Sequence, residues 1–427
     1  MKYAIVILDG AADWKMGRLD NKTALEAATT PILDMMAHQG TVGLARTVPE
    51  GMEVSSNAAC TSILGYEPVA NFVGRGAIEA AAQSITLAPD EIAMRFNTLT
   101  ILDGHMTSYS GGNIKTEDAH AIVTRLAEQL NDETFTFYPG KAYRHILVVK
   151  GYPEVLDLSY TPPHDISDDP VTIEELPNGD GEAPRRLLEL MERAHVALKD
   201  DPTNARLIEE GELPITDIWP FWPGSAPRDL QPFKEAHGLS ASMTSSVDLL
   251  RGLAALFDIE FMEVEGVTDG LDNAFGAQAD AAIEALENDT DLAIIHVEAP
   301  DEMGHQGEVQ KKIHAIEFID REIMTRLFAY AKERTAAANT GTEADESADA
   351  GAGGVDNSGF RILAMPDHFT PIATRTHEGD PVPFLIWGDG IKSNGAAVYS
   401  EEAAAKTGLS LDPDGYEVLS LLLENKD

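Results

Sequence analysis

The sequence predicts an α/β fold, a doubly wound and mostly parallel sheet with an α+β domain inserted into it. Three observations carry this expectation. Short, continuous apolar runs recur along the chain, helical apolar patterns lie between them, and the middle third follows a different, β-rich pattern. Continuous runs suit strands covered on both faces, as in parallel sheets flanked by helices. Alternation of such runs with helices is the pattern of doubly wound sheets.

Taken in order, the run Tyr3 to Leu8 leads into Asp9-Gly10, and Leu292 to Val297 leads into Glu298 and Asp301. Phe360 to Met365 leads through Pro366 into Asp367-His368, and Pro383 to Trp387 leads into Gly388-Asp389. Helical patterns span Ala279 to Leu286 and Val309 to Tyr330, with Ile313, Ile316, Ile319, Ile323 and Leu327 on one face. Ligands of open α/β sheets bind beyond the carboxyl ends of the strands. Asp9, Asp301 and Asp367 all fall at that kind of end.

The middle section offers strands at Glu91 to Leu102, Thr134 to Tyr138 and Tyr143 to Val149, and a helix over Thr116 to Asn131. Pro162-Pro163 and Trp219-Pro-Phe-Trp-Pro-Gly224 read as turns. The expected division is 1–70 with 235–427 as one domain and 71–234 as the insertion. Thr335 to Gly359 is almost entirely small and polar, and reads as a surface loop.

Composition excludes several function classes. The chain has 427 residues, with 31 Lys and Arg against 72 Asp and Glu, a net charge of −41. Nucleic-acid binding needs a basic stripe, and anionic membranes attract cations, so neither partner is expected. One cysteine excludes an internal disulfide and a thiolate zinc cage. No run reaches a membrane span, and the start reads as a strand, not a signal peptide. A cytoplasmic protein is expected, and no oligomeric state is assigned.

Three clusters resemble metal ligands. Asp301 and His305 are spaced to share one face of a helix, Asp367-His368 follows a strand directly, and His377 comes nine residues later. Asp9 adds a carboxylate at the end of the first strand. Oxygen and imidazole donors without thiolate suit Mn²⁺, Mg²⁺ or Zn²⁺. Two such ions can clamp the attacking and leaving oxygens of a phosphoryl transfer. For a nucleophile, Ser55 and Ser56 both precede a short helix towards Leu64, while Cys60 and Ser62 lie inside it and read as packing residues. His38, His296 and His314 sit in apolar or ordinary helical patterns and read as structural.

These motifs together resemble the archaeal-type cofactor-independent phosphoglycerate mutases of the alkaline-phosphatase superfamily. The resemblance rests on Ile-Leu-Asp9-Gly-Ala-Ala-Asp13-Trp, Gly74-Arg75-Gly76-x-x-Glu79, Tyr143-Arg144-His145 and Thr161-Pro-Pro-His164-Asp165. It continues through Glu298-x-x-Asp301-x-x-x-His305, Pro366-Asp367-His368 and Thr376-His377, in order across nearly the whole chain. It implies an alkaline-phosphatase-like fold and a phosphoserine mechanism with Ser56 as nucleophile. One ion would be held by Asp301, His305 and His377, the other by Asp9, Ser56, Asp367 and His368, with Mn²⁺ the first choice. The reaction implied interconverts 3-phosphoglycerate and 2-phosphoglycerate, a small anionic phosphorylated substrate. Arg75, Arg144 and His164 of the insertion would grip the glycerate between half-reactions. A homoserine-kinase-like phosphotransferase or a metal-dependent phosphohydrolase on the same site is the alternative.

Two departures stand out. The resemblance leads one to expect Gly before the nucleophile and an acid after it, where this chain has Ser55 and Asn57. It also leads one to expect a phosphate-contacting lysine where this chain has Gln278, and a lost cation weakens charge stabilisation in a phosphoryl site.

Overall fold

The computed structural model describes residues 1–172, 176–341 and 359–424. The chain forms two compact units, Met1–Phe72 with Leu230–Asp427, and Val73–Asp229.

The first unit is built on an eight-stranded sheet, among the described residues, in the order Ser410–Leu411, Thr41–Ala45, Val382–Gly388, Phe360–Met365, Lys2–Leu8, Leu292–Val297, Ala241–Thr244, Glu260–Phe261. Lys2–Leu8 lies between Leu292–Val297 and Phe360–Met365 and pairs parallel with both. The register sets Ile7 opposite His296 on one side and Met365 on the other, so the three strands end at one level. The segments carrying Asp9, Glu298 and Asp367 therefore leave the sheet side by side. Ala4, Val6, Ala293, Ile295, Ile362 and Ala364 face a core closed by helices Pro31–Gln39, Phe275–Glu287 and Val309–Phe318. The last helix continues through a π-helical turn, Ile319–Met324, into Thr325–Gly341. Buried Asp320, inside that turn, accepts the Leu33 N–H at 2.7 Å and so caps Pro31–Gln39.

Val382–Gly388 pairs antiparallel with Phe360–Met365, although its apolar run reads like a parallel strand. No helix lies between the two, and a parallel return needs a crossover of that kind. Asp389 consequently sits at the opposite end of the sheet from Asp367, where its carboxylate accepts the Phe360 N–H at 2.8 Å. The helix expected to end near Tyr330 runs to Gly341, into the segment read as a loop. The rest of that segment, 342–358, lies outside the described residues.

In the second unit, Glu91–Leu102 pairs antiparallel with His105–Ser108, Arg144–Lys150 and Asp217–Ser225. Helices Thr116–Leu130 and Glu182–Lys199 bury Ile122, Leu126, Leu187 and Leu190 against Phe96 and Leu147. The Trp219–Gly224 segment, read as a turn, is most of a strand. Its pairing is interrupted by an irregularity between Met94 and Arg95, which lets prolines enter a ladder to which they cannot donate. No described helix is long and apolar enough to cross a membrane.

Candidate active site

Four elements of the first unit bring their ends together. Ala299–Gln306 is a helix whose turn spacing puts Asp301 and His305 on one face, with His305 Nε2 3.0 Å from Asp301 Oδ2. His377 approaches from the loop after Phe360–Met365, its Nε2 3.6 Å from Asp301 Oδ1 and 2.9 Å from His305 Nε2. His305 Nδ1 faces the Arg375 carbonyl at 3.0 Å and His377 Nδ1 faces the Val54 carbonyl at 3.3 Å. A carbonyl only accepts, so both Nδ1 atoms carry hydrogen, and in neutral rings both Nε2 atoms turn bare lone pairs on Asp301. That is the tautomer a metal ligand needs.

Asp9 and Asp367, both fully buried, lie beside this trio. Asp367 Oδ1 accepts the N–H groups of Gly10 at 3.0 Å and His368 at 2.9 Å, while its Oδ2 has no hydrogen-bond partner. His368 Nε2 is 3.2 Å from Asp367 Oδ2, 3.6 Å from Asp9 Oδ1 and 3.3 Å from Ser56 Oγ. Ser56 is the first residue of the helix Ser56–Ile63, where backbone N–H groups lack intrahelical acceptors. Cys60 and Ser62 are buried inside that helix, as their pattern indicates.

The electrostatics show a site short of positive charge. Burial, then Asp367 and Asp301, push the Asp9 carboxyl well above the usual range, and burial with Asp9 does the same to Glu298. Burial would also raise Asp301, but hydrogen bonds from His305 and His377 hold it well below the carboxylate range. Asp301 in turn lifts His305 to about 9. Buried carboxylates beside imidazoles whose far nitrogens already face carbonyls fit a pair of divalent cations, which would take the place of the His305 proton. Among the described residues, four groups of side chains lie within reach of single ions: Asp301 with His305 and His377, Asp9 with Asp301 and His368, Asp9 with His296 and Glu298, and Cys60 with His296 and Asp367.

Arg75, Arg144 and His164 belong to the second unit. Arg75 lies over the Trp222 ring at 4.0 Å and bonds Glu79 at 2.9 Å. Arg144 lies 5.6 Å over Tyr143, and His164 packs edge-on to Trp222 and Tyr109. The structure adds Arg95, unmarked by any sequence pattern and buried, its Nη1 3.4 Å from Glu79 Oε1. Burial and the charges of Arg75 and Arg144 lower its pKa, the mark of neighbouring cations, with Glu79 opposing them.

Other buried groups also escape sequence reasoning. His296, read as structural, places Nε2 2.9 Å from Asp9 Oδ2. Thr370 bonds Asp301 and lies 3.2 Å from His368 Nδ1, tying two ligand segments together. Gln278, singled out in the sequence as the place of an expected lysine, is buried, where it accepts from Asn273 at 2.8 Å and donates to the His296 carbonyl at 3.1 Å.

A family model described as 2,3-bisphosphoglycerate-independent phosphoglycerate mutase matches residues 37–204. The protein of that name from Methanosarcina barkeri is 39% identical, covering 96% of this chain and 96% of its own length. The Geobacter sulfurreducens protein described as a probable enzyme of the same kind is 36% identical, covering 99% and 100%. Among solved structures, a Pyrococcus horikoshii protein superposes with a TM-score of 0.76 at 24% identity, covering 99% of this chain and 96% of that one. The cofactor-independent phosphoglycerate mutase of Thermoplasma acidophilum superposes at 0.63 and 22% identity, covering 99% of both chains, and these two share the fold. With its fold, ligand segments and near full-length relatives in agreement, the chain belongs to the 2,3-bisphosphoglycerate-independent phosphoglycerate mutase family.

Proposed function

We propose that this protein interconverts 3-phosphoglycerate and 2-phosphoglycerate through a phosphoserine on Ser56, and that it does so in the cytoplasm. The observation that carries the reading is Ser56 Oγ, at a helix N-terminus, 3.3 Å from His368 Nε2 and beside the buried carboxylates. Asp301, His305 and His377 would hold one ion, and Asp9, Ser56, Asp367 and His368 the other, with Mn²⁺ preferred over Mg²⁺ or Zn²⁺. When bound, the ions neutralise charge on the phosphoryl oxygens and on the serine oxygen.

The chain's own groups account for the rest. Ser56 Oγ gives up its proton and forms the new P–O bond as the bond to the 3-oxygen breaks, and the freed 3-oxygen takes up a proton. In the return step the 2-hydroxyl gives up a proton and receives the phosphoryl group as the bond to Ser56 Oγ breaks, and that oxygen regains its proton, so each half-reaction balances. The free N–H groups at the start of Ser56–Ile63 favour the negative charge on the phosphoserine. Arg75, Arg95 and Arg144, opposed by Glu79, supply the cations a glycerate carboxylate requires, and His164 adds a polar edge. The intermediate glycerate must be retained, because a rotated but unreleased molecule distinguishes a mutase from a hydrolase.

The test is purified protein with Mn²⁺ and 3-phosphoglycerate. Appearance of 2-phosphoglycerate without a bisphosphoglycerate cofactor supports the reading. Release of inorganic phosphate alone identifies a phosphohydrolase, and turnover only with ATP and homoserine identifies a homoserine-kinase-like phosphotransferase.

A further inference from the structure

Arg144 opens the strand Arg144–Lys150 of the second unit and stands opposite Asn97 of Glu91–Leu102. A tight turn delivers it there, in which the Lys141 carbonyl accepts the Arg144 N–H at 3.1 Å. Ala142, inside the turn, adopts φ +50, where a residue with a side chain is strained. Gly140 approaches so closely that a Cβ on it would overlap the Arg144 carbonyl oxygen. Such a turn persists only when surrounding groups hold it.

His145 supplies that hold. Its side chain is buried, and Nδ1 accepts the Gly140 N–H at 2.9 Å. An accepting nitrogen is bare, so in the neutral ring the hydrogen sits on Nε2, which donates to Thr98 Oγ1 at 3.2 Å. The Thr98 N–H in turn donates to the Tyr143 carbonyl at 3.0 Å. One imidazole thus ties both ends of the turn, Gly140 directly and Tyr143 through Thr98. The Tyr143 ring is the surface over which the Arg144 guanidinium lies at 5.6 Å. Burial, helped by the charges of His120 and Arg95, lowers the His145 pKa to about 3. A proton on Nδ1 would meet the Gly140 N–H head on, so the hold requires the neutral ring.

Neighbouring strand residues face opposite ways. His145 therefore shares a face with Phe96, its partner in register, while Arg144 shares the other with Asn97 and Arg95. Any influence of the imidazole on a bound glycerate passes through Arg144. We propose that His145 is a positioning residue for substrate capture, fixing the 140–143 turn and thereby the guanidinium of Arg144. This rests on the reading of Arg144 as a cation for the glycerate carboxylate.

The experiment is steady-state kinetics with 3-phosphoglycerate at saturating Mn²⁺, on full-length variants whose thermal melting shows them folded. His145→Leu, which removes both ring bonds, is expected to raise KM about tenfold with kcat within about twofold of wild type. His145→Asn, which keeps an acceptor near the Gly140 N–H, is expected to recover part of that loss. Because both residues act on one contact, His145→Leu should add no further rise in KM to Arg144→Ala. Should His145→Leu not fold, Thr98→Val carries the test, since it removes only the Oγ1 acceptor and should raise KM about threefold. Wild-type KM in the folded variant, or a rise that multiplies with that of Arg144→Ala, overturns the positioning role and leaves Arg144 as a binding residue. Wild-type KM in Arg144→Ala overturns both.

Discussion

Lys312 and Asp13 form an ion pair wholly enclosed by protein, with Nζ 3.0 Å from Oδ2. The same ammonium donates to the carbonyls of Ala12 at 3.2 Å and Thr370 at 2.8 Å. It thereby pins the loop that follows Asp9 to the loop that follows His368. Removing one partner strands a buried charge, so Lys312→Met should destabilise the fold by about 3–5 kcal/mol in chemical denaturation. Replacing both, with Asp13→Leu added, should restore most of that stability. Mn²⁺ affinity should stay about tenfold weaker in the double variant, because Thr370 is no longer held. Wild-type affinity there would limit the pair to a stability role.

Gly10 adopts φ +56, and a methyl group on it would overlap Asp301 Oδ1 and the Thr370 hydroxyl. Gly10→Ala should therefore cost about 1 kcal/mol or more in backbone strain. It should also lower Mn²⁺ affinity at least about tenfold by displacing Asp301. Titration calorimetry on the folded variant separates the two effects.

Proton release should accompany metal binding. Asp301 lifts His305 to about 9 in the metal-free protein, whereas an unperturbed histidine titrates at 6.5. A metal needs the neutral ring, so below pH 9 an ion must displace that proton. The sign for stability follows from the raised value. The His305–Asp301 pair supports the metal-free fold fully below pH 6.5 and is lost as pH rises through 9. Calorimetry of Mn²⁺ binding at neutral pH in buffers of different ionisation enthalpy should show proton release. The release should fade towards pH 10 and diminish in Asp301→Asn.

The arginines of the second unit should govern substrate capture more than chemistry. Arg144→Ala is expected to raise KM for 3-phosphoglycerate about tenfold or more, with Mn²⁺ stoichiometry unchanged. Arg144→Lys should recover part of this, since an ammonium keeps the charge but loses the fork. Steady-state kinetics at saturating Mn²⁺ decides.

The central strands and the helix bearing Asp301 and His305 were legible because their patterns are local. An unbroken apolar run ending in Asp, or an Asp and His four apart, shows in a short window. Asp9, Asp301, His305, Asp367, His368 and His377 do converge in space. The placement of His377 and the choice of Ser56 over Ser55 came from the resemblance, since loop closure is not written in spacing. His296 looked like one more residue in an apolar strand. Its role depends on which strand lies beside it, a property of sheet order that no local pattern carries. Arg95 was hidden in the same way within Glu91–Leu102. Trp219–Gly224 was misread because prolines signal turns in isolation, while the pairing irregularity that admits them lies on another strand.

The most direct test of the account follows the phosphoryl group itself. Protein loaded with Mn²⁺ is mixed with 3-phosphoglycerate carrying a labelled phosphoryl group, quenched in acid and digested. Label should appear transiently on the peptide containing Ser56 and then in 2-phosphoglycerate, with no exchange into added free glycerate, and Ser56→Ala should show neither. Full turnover by Ser56→Ala, or label reaching 2-phosphoglycerate with none ever on Ser56, would contradict the phosphoserine mechanism.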